Sequence, residues 1–82
     1  DVAEGETMPL HCTAAGKVLL AALEPTVRDR LLEHLDLERR TDTTVTDRRA
    51  LAKQCADVAS HGYAVDDGEW EEGVRSIAVP VH

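Results

Sequence analysis

Phenylalanine is absent from this 82-residue chain, and its aromatic side chains are Tyr63 and Trp70 alone. Two rings make no platform on which bases could stack. Positive charge is also scarce: 9 Lys and Arg stand against 16 Asp and Glu, a formal net charge of -7. Recognition of DNA phosphates rests on clustered cations. Here the arginines fall in local pairs, Arg28/Arg30, Arg39/Arg40 and Arg48/Arg49, among more numerous acids. The segment therefore reads as having no nucleic-acid surface of its own. Cysteine is limited to Cys12 and Cys55, too few for the disulfide framework of a small secreted domain. Two reduced thiols in a cytoplasmic protein is the expectation. No apolar run approaches the ~20 residues of a membrane span, so no membrane partner is expected.

What remains is the composition of a folded chain, with 43% hydrophobic and 30% charged residues. The length allows one domain at most. Chains of roughly 60–80 residues leave much of their surface wet and lean on staples or partners. The sequence opens on Asp1 rather than Met, which suggests that an upstream part is missing.

Gly5 and Pro9 keep residues 1–10 irregular. A helix is expected from His11 to Thr13 onward, with Thr13 as its cap. The 3.6-residue period puts Ala15, Val18, Leu19, Ala22 and Leu23 on its inner face. Gly16 costs about 1 kcal/mol of helix propensity. With Ala14 and Ala15 it makes a first turn small enough for close approach. Pro25 suits the first turn of a second helix, whose inward stripe reads Val27, Leu31 and Leu35. Residues 36–45 are a polar, Thr-rich connection. Thr46 or Asp47 caps a third helix with Leu51, Cys55, Val58 and Ala59 inward, and Gly62 ends it.

Past Gly62 the period becomes two. Tyr63 to Asp66 reads as a strand, Asp67-Gly68 as a turn, Glu69 to Glu72 as an exposed acidic stretch, and Val74 to Val81 as a second strand. Both rows of that second strand are apolar or small, which predicts cover on both faces. Pro80 belongs near its end. Three helices and about two antiparallel strands do not close a sheet, because a two-stranded pair is marginal alone. The fold class is α+β, and residues 1–82 read as part of a larger domain.

Several chemical readings fail on spacing. Ala15-Gly16-Lys17 has His11 where a phosphate loop needs glycine and Val18 where it needs Ser or Thr. Activation of Cys12 by His11 requires a base within hydrogen-bond reach, and adjacent side chains point apart. The acids from Asp66 to Glu72 lack the alternation of a calcium loop. His11, His34, His61 and His82 have no metal-ligand spacing. The expectation is a non-enzyme with no catalytic residue, metal or cofactor. One constellation is more informative. The small residues at the first helix start leave N–H groups and a positive dipole end open to an anion. Ser76 on the two-faced strand, Asp66 at a strand end, and an apolar wall of Met8 and Leu10 would complete a small-molecule pocket.

Three blocks carry a resemblance. They are Met8-Pro-Leu-His-Cys-Thr-Ala-Ala-Gly-Lys-Val-Leu-Leu-Ala, the Thr-rich lead from Thr41 into the helix at Leu51, and Gly62-Tyr-Ala-Val-Asp-Asp-Gly-Glu-Trp-Glu-Glu-Gly-Val-Arg-Ser-Ile-Ala-Val-Pro-Val. In order and spacing the chain resembles the effector-binding domain of the IclR family of bacterial transcription regulators. The resemblance implies a GAF-like fold, an antiparallel sheet flanked by helices. It implies a pocket for a small metabolite, commonly a carboxylate or aromatic acid, lined by Met8, Leu10, Ala14, Ala15, Asp66 and Ser76. It also implies a separate N-terminal winged helix-turn-helix for DNA, and homo-oligomers. Ser76 stands where some members have Cys, which alters pocket polarity. Gly68 stands where many have Glu. The DNA-binding module and the flanking strands of the effector domain lie outside these 82 residues. An oligomerisation segment without ligand binding of its own is the alternative reading, and an enzyme using Cys12 the third.

Overall fold

The computed structural model describes residues 9–80. Three helices precede a two-stranded sheet: α1 (Ala14–Ala22), α2 (Pro25–His34), α3 (Arg48–His61), β1 (Ala64–Asp67) and β2 (Arg75–Ala78). The α+β class and the number of elements agree with the reading from sequence. So do the punctuation residues. The Thr13 side chain accepts the Gly16 N–H at the start of α1. Pro25 opens α2. Asp47 accepts the Arg49 N–H at the start of α3. Gly62 ends α3 at φ 86°, where its N–H reaches the Val58 carbonyl at 2.8 Å. That left-handed turn is open to glycine at no steric cost.

Leu20, Leu32, Leu37, Leu51 and Cys55 form the main core between the helices. A second cluster of Ala14, Val58 and Ala64 seats α1 and α3 on the sheet. The strands pair antiparallel with Ala64 opposite Ala78 and Asp66 opposite Ser76. Side chains of a strand alternate, so these four share the face turned to α1. Among the described residues no helix is long and apolar enough to cross a membrane.

Four expectations are corrected. In α1 the buried residues are Ala14, Gly16, Lys17 and Leu20, whereas Ala15, Leu19 and Ala22 are exposed. The segment Ala-Ala-Gly-Lys-Val-Leu-Leu-Ala-Ala is apolar nearly all round, so periodicity could not choose its inner face. In α2 Leu32 is the buried residue, Leu31 and Leu35 pack half-buried against the core as expected, and Val27 is half exposed. In α3 Leu51, Cys55 and Val58 are buried as expected, but Ala59 is exposed. Finally, β2 is four residues long, and its face carrying Ile77 is uncovered while Ala78 packs toward α1. Ile77 is 64% and Val79 61% exposed.

Candidate effector-binding site

The site begins with a close approach. A Cβ at Gly16 would meet the backbone of Leu10, so glycine lets residues 9–13 lie directly on the first turn of α1. Thr13 Oγ1 donates to the Pro9 carbonyl at 2.7 Å while accepting from Gly16 N–H at 3.0 Å. One hydroxyl thus caps the helix and fastens the incoming loop. The helix start leaves further first-turn N–H groups without intrahelical partners, and Ala15 among these residues is exposed.

Opposite stands the end of β1. Asp66 is 2% exposed. Its Oδ1 accepts the Glu69 N–H at 2.8 Å, and its Oδ2 lies 3.4 Å from Ser76 Oγ. The first bond folds the chain into a turn after the strand, the usual local use of an Asp side chain.

The sequence reading missed the residue that joins these walls. Glu69, expected on an exposed acidic stretch, is buried, and so is Lys17. Lys17 Nζ donates to Glu69 Oε2 at 2.5 Å. Glu69 Oε1 accepts the Val45 N–H at 3.2 Å, and the Glu69 carbonyl accepts Thr44 Oγ1. The Thr-rich connection is therefore a clamp. Thr41 and Thr43 hydroxyls donate to the Gly68 carbonyl at 2.6 and 3.0 Å. Thr44 Oγ1 also accepts the N–H groups of Arg40 and Thr41. Buried charges persist where they are paired and hydrogen-bonded, and here every oxygen of Glu69 has a donor. Two signals were available in the sequence: a lysine embedded in an apolar helix, and four threonines within six residues, Thr41 to Thr46.

Cys12 and His11 are both buried and do not form a dyad. The His11 Nε2–H donates to the Glu38 carbonyl at 2.8 Å, away from the thiol. Burial pushes the Cys12 thiol up to about 11. The Asp66 and Glu69 carboxylates add to that rise, and Arg40 and Lys17 oppose it. The environment thus protects the thiol rather than activating it. Burial raises Cys55 as well. Among the described residues no cluster of His, Cys, Asp and Glu is arranged to hold a metal ion.

The residues anticipated as pocket lining are placed as follows. Ala14 packs on Ala64 and Val58, two positions along the strand face from Asp66. Ser76 faces Asp66 across the sheet and Ala15 is exposed at the helix start. Met8 lies outside the described residues. Leu10 lines a cleft of about 400 Å³ with Pro9, His11, Leu35, Asp36, Glu38 and Arg40, and this cleft includes neither Asp66 nor Ser76.

The whole sequence, residues 1–82, matches the family described as bacterial transcriptional regulator IclR C-terminal. The chain belongs to the IclR family. It is 39% identical to the Pca regulon regulatory protein of Pseudomonas putida over 82 residues, which is all of this chain and 28% of that regulator. The C-terminal domain of the E. coli transcriptional regulator KdgR is 44% identical, with a TM-score of 0.82 over 89% of this chain and 44% of that one. The PobR inducer-binding domain from Acinetobacter, a double mutant in complex with 3-hydroxybenzoic acid, is 38% identical. Its TM-score is 0.85 over 90% of this chain and 42% of that one. This IclR-family chain spans under a third of the length of the regulators it matches.

Proposed function

We propose that this IclR-family chain is the ligand-sensing segment of a bacterial transcriptional regulator, and that its effector is a small carboxylate or aromatic acid. The observation that carries the reading is the pairing of buried Asp66 with Ser76 on the sheet face that also seats Ala14, the residue before the exposed Ala15 in the first turn of α1. The acid group of the effector sits on the N–H groups at that turn, where the helix dipole favours negative charge. Asp66 Oδ2, whose contact with Ser76 is long, accepts from a hydroxyl of the effector. That a related inducer-binding domain was crystallised with 3-hydroxybenzoic acid supports the chemical class.

Sensing works by population shift. The effector favours one conformation, and a separate N-terminal winged helix-turn-helix binds DNA differently in the two. The remaining pocket walls and the DNA-binding module belong to the parts of the regulator beyond these residues. The protein acts in the cytoplasm, without an enzymatic step or cofactor.

The test uses the full-length regulator in a thermal-shift panel of small carboxylates and aromatic acids, 3-hydroxybenzoate among them. A ligand that binds only the folded state at a hundred times its Kd stabilises by about 2.7 kcal/mol. Ala15→Leu, at an exposed position, folds as wild type and loses the shift because its side chain fills the site. Asp66→Ala loses it as well. Wild-type responses from both variants would sink the proposal.

A second reading rests on the exposed Ile77 of the open strand β2 and the exposed Val79 just after it. An unpaired apolar edge is a template for pairing, which makes this face a contact between copies in a homo-oligomer. Sedimentation equilibrium decides it: a regulator monomeric at micromolar concentration has no such contact.

A further inference from the structure

We propose that Lys17 and Glu69 are the positioning pair of the effector site, fixing where the Asp66 carboxylate stands relative to the start of α1. The inference rests on the effector-site reading above and adds to it two residues that touch no effector.

The two walls of the site come from opposite ends of the chain. Lys17 lies three residues beyond Ala14, hence on the same helical face, and its own N–H is bonded to the Thr13 carbonyl at 3.0 Å. Glu69 lies three residues beyond Asp66, and its N–H holds Asp66 Oδ1. Each charged side chain is thus rigidly coupled to one wall, by a helical turn or by an Asp-centred turn. The Nζ–Oε2 bond between them spans 52 residues of sequence. Glu69 cannot swing about that bond, because Val45 N–H and Thr44 Oγ1 hold its other oxygens. Stability alone does not account for such a pair. A buried ion pair often contributes no more than well-packed apolar side chains of similar volume. What an apolar pair lacks is direction. An ammonium on a carboxylate sets a distance and an angle, and the backbone N–H of residue 69 is aimed by them at Asp66.

The experiment uses the full-length regulator and an acid from the panel to which the wild type responds. Glu69→Gln keeps an acceptor for Val45 and the backbone bond to Asp66 while removing the charge. Lys17→Met with Glu69→Met replaces the pair by apolar volume and avoids the unpaired buried carboxylate that Lys17→Met alone leaves. Both variants are expected to bind the acid at least 10-fold more weakly. In both, the amide proton resonance of residue 69, shifted by its bond to Asp66, should move and exchange faster in the ligand-free protein. Asp66→Ala serves as the reference for loss of the site itself. If the double variant regains both the melting temperature and the affinity of wild type, the pair is a structural filler and the proposal falls. It falls equally if Glu69→Gln leaves affinity and the residue 69 amide unchanged while Asp66→Ala abolishes binding, an outcome that spares the effector reading. A wild type indifferent to every acid, with Asp66→Ala no different, overturns the effector reading and this inference together.

Discussion

A Cβ built on Gly16 would fall 2.5 Å from both the Cα and the carbonyl oxygen of Leu10. Neither neighbour is the tip of a flexible side chain, so the whole loop before α1 would have to move. Glycine is a poor helix former, and Gly→Ala in an ordinary helix interior gains about 1 kcal/mol. At this position the sign reverses. Gly16→Ala should destabilise the protein by ~1–3 kcal/mol, the usual cost of overpacking, and weaken the Thr13 cap with it. Chemical denaturation measures the effect, and a variant more stable than wild type would refute the close approach.

Two lysines make ion pairs of opposite worth. Lys53 and Asp57 are one turn apart on the surface of α3, 3.1 Å from each other and well exposed. Lys53→Ala should change stability by about 0.5 kcal/mol or less. Lys17→Met leaves the Glu69 carboxylate buried without its cation and should cost about 3–5 kcal/mol. Equal effects in urea denaturation would contradict the burial of the second pair.

Thr44 Oγ1 accepts two backbone N–H groups and donates to the Glu69 carbonyl. Thr44→Val keeps the shape and removes all three bonds. Leaving buried donors unmet costs roughly 1–3 kcal/mol. Hydrogen exchange should locate the loss at the amides of Arg40 and Thr41, and protection kept there would show that the clamp lies elsewhere.

The Cys12 thiol titrates at about 11 against an ordinary 9.0, so the folded protein holds this proton more tightly than the unfolded chain does. Its contribution to stability is complete below pH 9 and is lost as pH rises through about 11. At about 1.4 kcal/mol per pKa unit, Cys12→Ala should flatten the alkaline limb of the stability curve by ~2–3 kcal/mol. The same burial makes wild-type Cys12 slow toward thiol reagents at pH 8. Rapid labelling of folded protein would place the thiol in a different environment.

Local signals in the sequence were sufficient where a single residue decides the backbone. Thr13, Pro25, Asp47 and Gly62 marked helix ends because caps and left-handed turns depend on the side chain at that position. Faces were harder. The segment of α1 carries apolar residues on every side, and only the distant Glu69 explains why Lys17 points inward and Leu19 outward. The pairing of Asp66 with Ser76 depends on strand register, which a strand boundary alone does not set. Glu69 looked like one acid among five because nothing near it in sequence shows that Lys17, Thr44 and Val45 converge on it. The exposed Ile77 and Val79 show the opposite situation. Their apolar alternation implied cover on both faces, and the residues described here do not supply it.

The 52-residue span between Lys17 and Glu69 also sets an order of events during folding. Contacts so far apart in the chain close late, after helices have docked on one another. Until then the ammonium of Lys17 stays hydrated and keeps water on the inner side of α1. Arrival of the hairpin and drying of that helix are therefore expected to be one step, taken after the rate-limiting barrier. Lys17→Met should hasten unfolding and leave refolding nearly untouched, and a stopped-flow series showing refolding slowed by the full amount would put the pair in the nucleus instead.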